Sequence, residues 1–213
     1  MNHSSIISRE GWPYIGILVL LATLLALLSY NYYWLIPLGL ALFAAYFFRN
    51  PERSIPADEG LILSPADGKI MEISTVWEDQ YLKSSAIQVR IFLSLFNVHV
   101  NRVPFSGEVE WLSRSGSTYL PAYKKEAGTS NVSNLVGIHS HKGKIMVVQI
   151  TGIVARRLVC WLKIGDQVQS GERLGLIKFG SCTELYLPLS AEILVQPGEI
   201  VKGGETIIGR FSN

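Results

Sequence analysis

The chain has 213 residues, 48% of them hydrophobic and only 17% charged, with a formal net charge of +2. That apolar content excludes extended disorder, and two cysteines cannot staple a disulfide scaffold of this length. The near balance of 19 basic and 17 acidic residues lacks the dense basic footprint of a nucleic-acid binder.

The apolar excess is concentrated at the N-terminus. Residues 11–48 carry no charge. As one helix they would reach about 57 Å, against roughly 30 Å for a hydrocarbon core. The run breaks at the polar and aromatic Ser29-Tyr30-Asn31-Tyr32-Tyr33. Residues 13–28 and 34–48 are therefore expected to form a helical hairpin, each arm about 23 Å long. That length fits either two membrane crossings or a hairpin embedded from one face. Arg9 before the run and Arg49 and Arg53 after it would lie on one side, the cytoplasmic side by the positive-inside rule. Trp12, Tyr14, Tyr30, Tyr32, Tyr33 and Trp34 would sit at interface depth. A signal peptide has one apolar stretch, and here a second follows at once. A buried core hairpin is the remaining alternative, since apolar runs this short also serve as core helices.

A proline-marked polar linker, residues 49–56, leads into a body of different character. Residues 1–53 are expected to be hairpin and linker, and residues 54–213 a separate domain. Its apolar runs are short and β-branched, at 86–96, 144–151, 158–164 and 191–195, with glycine and proline between them. The pattern predicts a mainly β fold. Residues 117–134 lack periodicity and form a long loop, a feature often tied to function. Gly165-Asp166-Gln167-Val168-Gln169-Ser170-Gly171-Glu172 recurs as Gly198-Glu199-Ile200-Val201-Lys202-Gly203-Gly204-Glu205. Each copy turns at a Gly-acid pair, buries a valine and turns again at Gly-Glu. Two such units resemble the barrel-sandwich folds of lipoyl and biotinyl carriers. A carrier displays a lysine between its half-repeats, however, and Phe179-Gly180-Ser181-Cys182-Thr183-Glu184 contains none; Lys178 only ends the preceding strand.

Three positions could form a nucleophilic site. Gly180-Ser181 lies between two expected strands, where glycine lets the backbone reach strained geometry beside a hydroxyl. Asp67 lies in Ser64-Pro65-Ala66-Asp67-Gly68, and His99 in Asn97-Val98-His99-Val100-Asn101-Arg102-Val103-Pro104. An Asp that orients a His, which takes the Ser proton, is a triad. The rival constellation is His139-Ser140-His141, whose two imidazoles would share a strand face and could hold zinc with His99 and Asp67. Its Lys-Gly-Lys continuation reads as a solvated hairpin tip.

Taken together, these segments resemble the phosphatidylserine decarboxylase proenzymes of the short bacterial and archaeal form. The resemblance runs over nearly the whole chain. It is carried by Tyr46-Phe47-Phe48-Arg49-Asn50-Pro51-Glu52-Arg53, Ser64-Pro65-Ala66-Asp67-Gly68, the Asn97–Pro104 motif, Ala155-Arg156-Arg157 and Phe179-Gly180-Ser181. It implies self-cleavage between Gly180 and Ser181 into fragments 1–180 and 181–213, which stay together. Ser181 becomes a pyruvoyl group, and no metal is required. The ketone condenses with the amine of phosphatidylserine and takes up the electrons released with carbon dioxide, giving phosphatidylethanolamine. Asp67, His99, Gly180 and Ser181 are the implied catalytic residues. Arg156 or Arg157 would hold the phosphodiester, and Leu95 and Phe96 would dock the lipid at the cytoplasmic membrane. A homodimer is also implied. Archaetidylserine is an alternative substrate, and a zinc-dependent or non-catalytic membrane-anchored barrel-sandwich protein an alternative function. Some positions depart from the longer members: Arg102 replaces a second His, Asn97 an acid, and Asn131-Val132-Ser133-Asn134 an Asn-Glu-Arg-Asn. Cys182 reads as a small apolar neighbour.

Overall fold

The computed structural model describes residues 5–28, 31–58, 60–124, 126–153, 157–178 and 181–211. They fall into two compact units, Met1–Glu52 and Arg53–Asn213.

In the first unit, α1 (Trp12–Leu28) and α2 (Leu35–Phe47) are apolar on nearly all sides. Arg9–Leu28, with its leading turn, is long and apolar enough to cross a membrane; Tyr32–Phe47 is shorter. The two ends of the unit meet. Ile7 bridges Arg49, the Ser8 N–H donates to the Phe48 carbonyl (2.9 Å), and Tyr14 stacks on Phe48. Arg9 and Arg49 therefore stand at the same end. Trp12, Tyr32 and Tyr33 are exposed, and Tyr30 lies outside the described residues.

The second unit is mainly β. Its strands are β1 (Leu61–Leu63), β2 (Gly68–Glu78), β3 (Ser84–Leu93), β4 (Val100–Arg102), β5 (Gly107–Ser115), β6 (Ser133–Ser140), β7 (Gly143–Ile150), β8 (Arg157–Cys160), β9 (Gln167–Val168), β10 (Arg173–Lys178), β11 (Ser181–Pro188), β12 (Ala191–Ile193), β13 (Ile200–Val201) and β14 (Ile207–Phe211). One short helix, α3 (Ala127–Ser130), interrupts the long loop before β6. An eight-stranded antiparallel sheet runs β13-β2-β3-β11-β7-β6-β5-β9. Two three-stranded sheets, β1-β14-β12 and β4-β10-β8, complete the body. The main core draws on all three, with Ile62, Ile91, Val136, Leu174, Leu185 and Ile208 buried in it.

The internal repeat is visible as a symmetry of these sheets. In the first copy Gly165 N–H donates to Val109 O (2.8 Å) and Val109 N–H to Asp166 O (2.9 Å). In the second, Gly198 N–H donates to Ile70 O (2.8 Å) and Ile70 N–H to Glu199 O (2.9 Å). The valines, Val168 and Val201, are buried on β9 and β13, the two opposite edges of the large sheet. The strand that follows each copy, β10 or β14, becomes the centre of a small sheet. Gly171 and Gly204 close the repeats at φ +79° and +77°, conformations that glycine adopts without a Cβ penalty.

Two strands end three or more residues before their apolar runs do. β3 stops at Leu93 because the Asn97 side chain folds the chain back, its Oδ1 accepting from the Ser94 N–H (2.9 Å) and hydroxyl (2.7 Å). β8 stops at Cys160, ahead of a turn in which Asp166 accepts from the Lys163 N–H (2.8 Å).

Gly68 opens β2 where the Phe92 carbonyl of β3 occupies the place of a Cβ. Backbone cannot yield as a side-chain tip does. Gly68→Ala should destabilise the protein by about 1–3 kcal/mol. Thermal unfolding should then show a fall in Tm of roughly 2–4 °C per kcal/mol.

Candidate functional site

β11 lies in the interior of the large sheet, between β3 and β7. Its side chains alternate. Thr183, Leu185 and Leu187 face the main core, while Cys182, Glu184 and Tyr186 face the other side. Ser181 is the first residue of the strand and shares the face of Thr183. It is 0% exposed, and its Oγ has no hydrogen-bond partner among the described residues. A hydroxyl buried without a partner costs about 1–3 kcal/mol. Gly180, the expected acceptor of its attack, lies outside the described residues.

His99 sits between the Ser94–Asn97 turn and β4, fully buried, and its carbonyl accepts from the Ile177 N–H of β10 (3.1 Å). Its Nδ1 is 3.0 Å from the Asn97 carbonyl oxygen. A carbonyl can only accept, so Nδ1 carries a proton, and in the neutral tautomer the lone pair lies on Nε2. The turn capped by the Asn97 side chain thus presents the Asn97 carbonyl that orients the ring.

Asp67 is engaged elsewhere. Its carboxylate accepts from Arg53 Nη2 at 2.9 and 2.8 Å and from the Gly203 N–H at 2.8 Å. This buried pair clamps the start of the body to the second repeat turn. The orienting part expected of Asp67 is taken at Nδ1 by a main-chain carbonyl. Arg102 also serves the repeat: its guanidinium, nearly buried, donates to the Gly171 carbonyl (2.9 Å). Asn131 likewise fastens the long loop, donating to the carbonyls of Leu120 and Thr151 (both 2.8 Å) and accepting from the Leu120 N–H (2.7 Å).

Across β11 from Ser181 opens a cavity of about 540 Å³, lined in part by Glu72, Gln88, Arg90, Glu184 and Tyr186. Most of these groups engage Glu184. Arg90 Nε is 2.9 Å from Glu184, and Gln88 Nε2 and the Tyr186 hydroxyl donate to Glu184 at 2.9 and 2.8 Å. Cys182 faces this side. Burial, and after it the Glu184 carboxylate, push its thiol up to about 12. It stays protonated through the neutral range and offers no thiolate, as befits a small apolar neighbour.

The register Leu93↔Ser181 and Cys182↔Ile150 brings three chain segments to one end of the sheet. Leu95 and Phe96 sit in the turn after β3, and Phe96 is 67% exposed. Ile153, which the sequence reading passed over, is 56% exposed after β7. Arg157 begins β8 directly opposite Lys178, the last residue of β10. Arg156 lies outside the described residues. In the sequence Lys178 only ends an apolar strand, and the β8–β10 pairing makes it Arg157's neighbour. His139 and His141 flank the tip of the β6–β7 hairpin, where His141 packs near Phe105 (5.6 Å between ring centroids).

A family model described as Phosphatidylserine decarboxylase matches residues 40–209. The chain is 46% identical over 212 residues to the phosphatidylserine decarboxylase proenzyme of Carboxydothermus hydrogenoformans, covering 99% of both chains. It is 45% identical to the proenzyme of the same name from Symbiobacterium thermophilum, covering 97% of this chain and 96% of that one. The proenzyme of Syntrophus aciditrophicus is also 45% identical, with 99% and 100% covered.

Removing one partner of a buried ion pair costs about 3–5 kcal/mol. Among the described residues, Asp67→Ala leaves Arg53 with Glu205, 3.6 Å away, to offset part of that loss. Thermal melting should show a large destabilisation in Asp67→Ala and in Arg53→Ala. The double variant should lose less than the sum, because both single changes break the same pair.

Proposed function

We propose that this chain, which belongs to the phosphatidylserine decarboxylase family, cleaves itself between Gly180 and Ser181 and then acts on phosphatidylserine through a pyruvoyl group formed from Ser181. The observation that carries this reading is the Ser181 hydroxyl, sealed from water and without a partner among the described residues. Core packing has no use for such a group, whereas a nucleophile needs its oxygen lone pairs free. The Cβ, Cα and carbonyl carbon of the same residue are the three carbons of a pyruvoyl group, so the residue present fits the group it would become.

His99 is the base. With Nδ1 held by the Asn97 carbonyl, its Nε2 can take the hydroxyl proton. Ser181 Oγ bonds to the Gly180 carbonyl carbon, the peptide C–N bond breaks, and the proton passes to the departing nitrogen. The resulting ester breaks at its Cβ–Oγ bond as the Cα proton of Ser181 leaves. Water then displaces the nitrogen as ammonia, leaving a ketone at the new terminus. That ketone supplies an electron sink for the pair released on loss of carbon dioxide. The product of decarboxylation is phosphatidylethanolamine. Asp67 holds the turn framework around this site and does not orient the imidazole.

The pairing of Arg157 with Lys178 supports a head-group site. Two cations in register on neighbouring strands offer an anion such as the lipid phosphodiester charge-assisted donors from both. Leu95, Phe96 and Ile153 give the same end of the sheet an apolar rim. Drawing acyl chains out of a bilayer costs about 0.8 kcal/mol per CH₂, so the reacting end must come to the lipid. We assign the helical hairpin as the membrane anchor. Arg9 and Arg49 at its common end support a cytoplasmic orientation for that end.

Two experiments test this reading. Ser181→Ala should accumulate as one undivided chain on a denaturing gel, with no decarboxylase activity; cleavage and activity in that variant would contradict it. Arg157→Ala should still cleave, while its KM for phosphatidylserine rises by about tenfold or more, the loss of a charge-assisted contact. An unchanged KM would remove Arg157 from the head-group site.

A further inference from the structure

A row of polar side chains crosses the core face of the large sheet. Thr183 on β11 is in register with Gln149 on β7, Gln149 with Asn134 on β6, and Asn134 with Arg114 on β5. Asn101 of β4 docks onto the row from the facing sheet. Thr183, Gln149 and Asn101 are completely buried, and Asn134 nearly so. Polar groups at such depth persist only when hydrogen-bonded, and these form a continuous chain.

The chain has one direction. A guanidinium can only donate, so Arg114 Nε gives its proton to Asn134 Oδ1 (3.1 Å). Asn134 Nδ2 is thereby left to donate to Gln149 Oε1 (3.2 Å), and Gln149 Nε2 to Asn101 Oδ1 (2.9 Å). Asn101 Nδ2 must then face the other way. It donates to Thr183 Oγ1 (3.0 Å) and to the Pro65 carbonyl (3.2 Å).

The ends of those two bonds matter. Asn101 lies two residues after His99, Thr183 two residues after Ser181, and Pro65 two residues before Asp67. Thr183 shares its strand face with Ser181. One amide thus ties together the three segments that bear the candidate residues, and its orientation is dictated from the far side of the sheet.

We infer that Asn101 is a positioning residue for self-cleavage, setting the place of Ser181 relative to His99 through its hydrogen bond to Thr183. This rests on Ser181 being the residue at which the chain cuts itself. Among the described residues Asn101 makes no hydrogen bond to the hydroxyl of Ser181; it acts through the position of β11 against β4. A misplacement of about 1 Å at a reacting pair can slow a reaction by as much as 10²-fold.

The test follows the first-order rate of proenzyme cleavage in the full-length chain on denaturing gels, below the melting temperature of every variant. Thr183→Ser keeps the hydroxyl and should cleave at close to the native rate. Thr183→Val keeps the branched shape but loses the acceptor, and should cleave about 10- to 100-fold more slowly. Should valine crowd Asn101, Thr183→Ala removes the same hydroxyl and leaves space, with the same slowing expected. Asn101→Leu should be slowed alike. The double variant Asn101→Leu/Thr183→Val should be no slower than the slower single, because one bond is lost in each. A purely structural part would lower melting temperatures and leave these rates unchanged. Folded Thr183→Val and Thr183→Ala chains that cleave as fast as Thr183→Ser would overturn the inference. Native chain that never cleaves would overturn the self-cleavage reading instead.

Discussion

On the proposed self-cleavage, β11 must hold a residue that becomes a chain end, and must hold it equally well before and after the cut. It meets this constraint by lying inside the sheet instead of at an edge. It pairs with β3 from Ser181 to Pro188 and with β7 from Cys182 to Tyr186. Those hydrogen bonds owe nothing to the peptide bond that precedes Ser181. The downstream strands are woven in as deeply. β14 is the centre of one small sheet, and β13 closes an edge of the large one against β2. Breaking one covalent bond therefore leaves the packing of residues 181–211 intact.

The duplicated turns carry most of the charged architecture around the site. Asp67 reaches the Gly203 N–H of the second turn, and Arg102 the Gly171 carbonyl of the first. The closing glycines come close to one another, so that a Cβ on Gly204 would stand 3.6 Å from the Gly171 Cα. A position where longer family members carry a second histidine is thus used here for scaffolding. With Arg102 so occupied, the proposed mechanism leaves the part of base to His99, whose ring the capped turn before it orients.

Much of this was legible in the sequence. The β-branched runs, the hairpin and the repeat are local patterns, and local hydrogen bonding and burial enforce them. Ser181, His99 and Asp67 could be singled out because each sits in an unusual short motif. What could not be read were relations between distant positions. Nothing local to Asn101 tells that its amide meets Thr183, 82 residues away. Nor does Lys178 announce Arg157 as its cross-strand partner. The triad expectation went astray on Asp67 for the same reason: an Asp-Gly turn gives no sign that Arg53 and Gly203 will claim the carboxylate. Phe96 shows the converse. A two-residue period placed it on a continuing strand, but the Asn97 side chain bends the backbone first and leaves the ring in solvent.

The central claim is chemical: the residue at the head of β11 ceases to be a serine. The intact mass of the fragment beginning at residue 181, taken from freshly purified protein, reports this directly. Cleavage that generates a pyruvoyl terminus predicts a fragment lighter than its serine-started sequence by one ammonia. A fragment with the full mass of an N-terminal serine would mean simple hydrolysis, and an undivided native chain would mean no cleavage at all. Either result would contradict the account.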